Sequence, residues 1–153
     1  MRKLLVLALL AAAVLVPARA AAAAKPLVPA FVQHLVAKRA PALAYVPARG
    51  AIAYRYRNFK VQRGVLRIWF ANRNEPSKTI LFSARAFRGT CRAGASKSFQ
   101  MAGVKTWYGS DGATQRAWRC LHGRKLTAST TMGPRRFADA GLARIAASGH
   151  RVR

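Results

Sequence analysis

The chain reads as an α+β protein, a curved antiparallel sheet of about six strands in two meanders with a C-terminal helix packed on it. Three observations lead there. Period-two alternation recurs in short runs, clearest from Val65 to Phe70, where Leu66, Ile68 and Phe70 share one side and Arg67 and Trp69 the other. Turn-forming pairs, Arg63-Gly64, Asp111-Gly112 and His122-Gly123, separate such runs. Near the C-terminus the period changes to that of a helix, with Phe137, Gly141, Leu142, Ile145 and Ala146 forming one stripe.

Met1-Arg2-Lys3, the uncharged run Leu4 to Val16 and the small residues Pro17-Ala18-Arg19-Ala20 and Ala21 to Ala24 have the build of a secretory signal peptide over 1–24. Cleavage is expected after Ala20 or Ala24. The apolar run is shorter than the roughly 20 residues of a membrane span, although the added alanines leave an uncleaved anchor open. Residues 25–44 form a helical lead-in, because Val28, Phe31, Val32, Leu35 and Val36 follow helical spacing up to Arg39. Such a helix either packs on its own domain or lies on a membrane face with Lys38 and Arg39 as its charges.

One α+β domain is expected over 45–149. Its strands are Ala51 to Phe59, with Tyr54 and Tyr56 opposite Arg55 and Arg57, then Val65 to Phe70 and Thr79 to Ala84 as a first meander. Phe87 to Ser98 is rich in glycine, serine and basic residues and reads as a loop. Gly103 to Tyr108, Thr114 to Leu121 and Arg124 to Thr131 make the second set of hairpins. Pro134 to Ser148 is the closing helix, Gly149 its stop, and 150–153 a frayed basic tail.

Two cysteines, Cys91 and Cys120, are the whole complement. In an exported chain an even number of thiols implies a structural disulfide in preference to a metal pair or nucleophile. It would close a long loop and stabilise the fold by about 3 to 4 kcal/mol in the chain-entropy account.

Charge is the other strong signal, with 28 Lys and Arg against 3 acids. Removing Arg2, Lys3 and Arg19 with the leader leaves 25 minus 3, or +22. A solvated surface ordinarily mixes both signs, so this excess attracts polyanions or anionic surfaces.

The lead-in Tyr45-Val46-Pro47-Ala48-Arg49-Gly50, the strand Met101 to Gly109, the strand Ala117-Trp118-Arg119-Cys120 and the helix Gly141 to Ser148 together resemble small extracytoplasmic domains of unknown function in high-GC Gram-positive bacteria. Related domains stand on the outer side of membrane-bound sigma-factor regulators. The resemblance covers about Tyr45 to Gly149 and implies a curved antiparallel sheet with a helix against it, and no catalytic residues. The chain departs from that group in its charge and in showing no membrane span after the leader.

Catalysis has few candidates. Nucleophile elbows, zinc-ligand spacings, phosphate-cradling glycine loops and dinucleotide fingerprints are missing, so no catalytic, cofactor or metal residue is assigned. A secreted nuclease, the alternative, would have to use Glu75 with His122, and both stand in turns. Binding has more behind it. Arg55, Arg57, Arg67 and Trp69 fall on the outward parity of neighbouring strands, with Lys105 and Trp107 extending the patch. The reading is a secreted, non-catalytic envelope domain. Its ligand is a polyanion (teichoic acid, anionic lipid head groups or extracellular nucleic acid) or the acidic surface of another exported protein.

Overall fold

A computed structural model describes residues 26–50, 53–131 and 139–153. The expected leader, Ala51, Ile52 and the segment containing Pro134 and Phe137 lie outside them. In chain order the elements are helix α1 (Ala30–Arg39), a 3-10 turn (Pro41–Leu43), β1 (Tyr45–Pro47), β2 (Tyr54–Gln62), β3 (Val65–Asn72) and β4 (Thr79–Ala86). They continue as β5 (Lys97–Met101), β6 (Val104–Asp111), β7 (Thr114–Leu121), β8 (Arg124–Thr131), α2 (Asp139–Ala147) and β9 (Gly149–Arg151).

Seven strands form one open antiparallel sheet in the order β2-β3-β4-β8-β7-β6-β5, among the described residues. The strand missing from the sequence expectation is β5. Lys97, Ser98 and Gln100 hide its alternation, and its turn, Ala102-Gly103, places an alanine at φ 49° before the glycine. Three of the two-residue turns, Arg63-Gly64, Ala102-Gly103 and His122-Gly123, hold both residues at positive φ, matching the twist of the strands they join.

One face of the sheet carries the core. Leu66, Ile68 and Phe70 of β3, Ile80, Phe82 and Ala84 of β4, Leu126 and Ala128 of β8 and Ala117 of β7 are all buried, and the register sets them side by side. Both helices lie on this inner face. From α2, Leu142, Ala143, Ile145 and Ala146 are buried against β5 to β8. From α1 the buried side chains are Val28, Val32 and Val36, while Phe31, expected on the same stripe, is 67% exposed. The arginine at its end, Arg39, stands over the ring of Phe59 on β2.

The expected frayed tail is a strand. β9 pairs antiparallel with β1, Val152 N–H donates to the Ala44 carbonyl, and the guanidinium of Arg119 on β7 donates to the Gly149 carbonyl. Gly149 itself sits where a Cβ would come within 2.9 Å of Leu126 and 3.1 Å of Phe82. Only a residue without a side chain lets this strand lie so close to the core.

Candidate polyanion-binding face

The register gives the opposite face of the sheet a different composition. Its cross-strand rows run Lys60, Arg67, Ser83, Thr127, Trp118, Trp107 and, beside them, Val65, Arg85, Lys125, Cys120. No helix covers this outer face among the described residues, since the buried stripes of α1 and α2 belong to the inner core. Long basic side chains can be placed there because each strand needs only one apolar side to bury.

A bulge in β2 shapes one end. Alternation holds from Tyr54 to Tyr56, then the register slips between Tyr56 and Asn58, so that Phe59 and Val61 turn inward and Asn58 and Lys60 outward. Strict alternation would have put Lys60 inside; the extra residue reverses every position after it. Lys60 therefore pairs directly with Arg67 on β3. Period-two reading could not reveal this residue. Arg55 and Arg57 are exposed, and Arg57 lines a hollow with Asn58, Trp69, Pro76 and Thr79. A second hollow, lined by Lys60, Gln62, Arg63, Arg67 and Trp69, shares the half-buried indole of Trp69. Four of the sequence-selected residues, Arg55, Arg57, Arg67 and Trp69, thus fall on adjacent strands.

Lys105 does not join them directly. It lies on β6, four strand spacings from β3, or roughly 19 Å at the usual separation. Between them the face holds Arg85, Arg116 and Lys125, which line a groove with Arg67, Ser83 and Thr127. Burial, then the neighbouring charges of Arg85 and Arg116, push the Lys125 ammonium below its ordinary pKa. Like charges are crowded here, with Arg116 alone of the groove's cations paired to a carboxylate, that of Asp111, among the described residues. The ammonium also stands 4.4 Å from the centroid of Trp118 and 5.2 Å from that of Phe87, contacts that compensate in part.

At the far end Lys105 lies 4.8 Å from the Trp107 ring centroid, and the two line a hollow with Arg92, Ser96, Lys97 and Ser98. One wall of that hollow is the loop preceding β5. Cys91 in this loop is disulfide-bonded to Cys120 on β7, with Cα atoms 5.9 Å apart. Trp118, on the outer parity of β7, is only 2% exposed because this loop covers it. Gly109 on β6 makes the close approach possible, since a Cβ there would meet the Gly94 carbonyl oxygen at 2.6 Å.

The three acids of the chain are each engaged. Glu75 binds Lys78 at 2.5 Å, Asp111 binds Arg116, and Asp139 binds both Lys97 and the Gln115 amide. No carboxylate pairs with Lys60, Arg67, Arg85, Lys105 or Lys125 among the described residues.

The nuclease pair does not come together. Glu75 is in the β3–β4 connection, at the end of the sheet where Thr79 pairs with Ala71; His122 is in the β7–β8 turn, at the end where Ala86 pairs with Arg124. The eight residues of β4 separate those ends by roughly 23 Å. A shared phosphodiester cannot reach both. No cluster of three metal-ligating side chains occurs among the described residues, and no helix there is long and apolar enough to cross a membrane.

Comparison with protein-family models, with curated proteins and with solved structures returns no match for the chain.

Proposed function

We propose that this protein binds polyanions without transforming them, through the outer face of its sheet. The observation that carries the reading is a face that no helix covers among the described residues, on which Arg55, Arg57, Lys60, Arg67, Arg85 and Lys125 gather on neighbouring strands, with Lys105 further along, while Asp111 at its edge is already bound to Arg116. A flat basic surface of this kind suits extended chains of anionic groups, such as teichoic acid, extracellular nucleic acid or clustered anionic lipid head groups. It also suits the acidic surface of another exported protein. The same proposal puts the domain in an extracytoplasmic, oxidising space, held at the envelope by its charge, and the Cys91–Cys120 bond supports that placement. The resemblance to outer domains of sigma-factor regulators contributes no site residue to it. A hydrolase built on Glu75 and His122 is disfavoured by their placement at opposite ends of the sheet.

Retention of the purified protein on heparin and on cell-wall sacculi across a salt series tests the reading. Retention should fall steeply, with a log-log slope of about 0.7 to 0.9 for each phosphate neutralised when the ligand is a nucleic acid. Retention unchanged in half-molar salt, or nucleic-acid cleavage lost on changing Glu75 or His122, would overturn it.

A further inference from the structure

Of the three tryptophans, Trp118 is buried beneath the disulfide loop, while Trp69 and Trp107 are half-exposed on the same outer face. Each of these two lines a hollow together with cations: Trp69 with Lys60 and Arg67, Trp107 with Lys105 and Arg92. The groove of Arg67, Arg85, Arg116 and Lys125 runs between them. An aromatic ring in each terminal hollow, with a basic groove that shares Arg67 with the first and is separated from the second by the disulfide loop and its Arg92, is more than charge neutralisation requires. Teichoic acid and lipid head groups present phosphate without a π-face at each repeat, and a duplex keeps its bases stacked on each other. Only a single strand offers a backbone for the groove and free bases for the rings.

We propose that the outer face is a binding site for single-stranded nucleic acid, lying across the strands with bases stacked on Trp69 and Trp107 and the intervening phosphates over Arg85 and Lys125. This rests on the polyanion reading above and narrows it. The roughly 19 Å between the strands that carry the two indoles, with the disulfide loop to be crossed on the way, requires a segment of at least about four nucleotides, the short end of such sites. Sequence preference is not expected, because every base has a face to stack.

The test compares three labelled probes on the purified protein: an oligothymidylate of about eight nucleotides, an abasic phosphodiester oligomer of the same length, and a duplex, with heparin as a reference. The oligothymidylate should bind more tightly than the abasic oligomer and quench tryptophan emission. Trp69→Ala and Trp107→Ala should each weaken oligothymidylate binding about 5- to 150-fold, leave the abasic oligomer's affinity as it was and keep the salt slope. Trp69→Phe and Trp107→Phe should restore most of that loss, which separates stacking from a folding defect. Equal affinity for abasic and base-bearing strands, or preference for the duplex, overturns the inference while the polyanion reading stands. Failure of every probe and of heparin to bind overturns both.

Discussion

The indole Nε1 of Trp118 donates a 2.7 Å hydrogen bond to the carbonyl oxygen of Cys91, the residue whose sulfur is bonded to Cys120 two positions further along the same strand. One covalent and one hydrogen bond thus hold the loop before β5 on the outer face of β7. Phe87 N–H on the Gly123 carbonyl and Ser96 N–H on the Tyr108 carbonyl fasten its two ends. The loop consequently acts as a wall of the Trp107 hollow and keeps the third tryptophan out of water.

Replacing Cys91 and Cys120 together by alanine should therefore cost about 3 to 4 kcal/mol of stability in denaturant melts. Trp118 emission should shift to the red as the loop lifts. Mass spectrometry of the unreduced protein should show the mass of one intramolecular bond; two free thiols or a covalent dimer would count against this account.

Gly109→Ala should destabilise by about 1 to 3 kcal/mol, because the added carbon meets a backbone oxygen of the loop and not a movable side chain. The same change at Gly94, where no atom lies near the position of a Cβ, meets no steric obstacle and should act through its positive φ alone. Equal stability of Gly109→Ala and the unaltered protein in thermal melts would mean that the loop does not seat on β6.

Ile145 on α2 is 2% exposed and faces the sheet. Its truncation to alanine leaves a cavity at a cost of about 2 to 5 kcal/mol. A loss under half a kcal/mol in a urea titration would show that the helix is not docked.

Lys60→Gln should flatten the salt dependence of anion binding by about one unit, as should Arg67→Gln. The triple change of Arg55, Arg57 and Arg67 to glutamine should flatten it by about two to three units and leave the fold intact. Lys60 has an effect only because of the β2 bulge, so a slope indifferent to this residue would place its side chain elsewhere.

Lys125 offers a pH signature. Burial and then the charges of Arg85 and Arg116 lower its folded pKa, so its unfavourable charging is present below that value and is relieved as pH rises to the ordinary lysine value of about 10.4. A bound anion favours the ammonium and moves the midpoint up. Side-chain NMR of Lys125 should record an upward move on adding an anionic probe, and proton uptake on binding between the lowered midpoint and the ordinary value. A downward or absent move would remove Lys125 from the site.

Much of this was legible in the residues. Alternation over Val65 to Phe70 and the glycine turns located most of the sheet, the cysteine count foretold the disulfide, and the scarcity of acids set the large positive net charge, because each is a local or compositional property. Which residues share one surface is another matter. Two of the arginines selected by parity, Arg55 and Arg57, lie before or at a bulge that alternation cannot show, and Lys60 reaches the outer face only because of it. Joining β4 to β8 sets Arg85 beside Lys125 across a sequence separation that no pattern encodes. The exposure of Phe31, the burial of Trp118 and the pairing of the last strand with Tyr45 to Pro47 were likewise decided by tertiary packing, since each depends on what a distant segment covers.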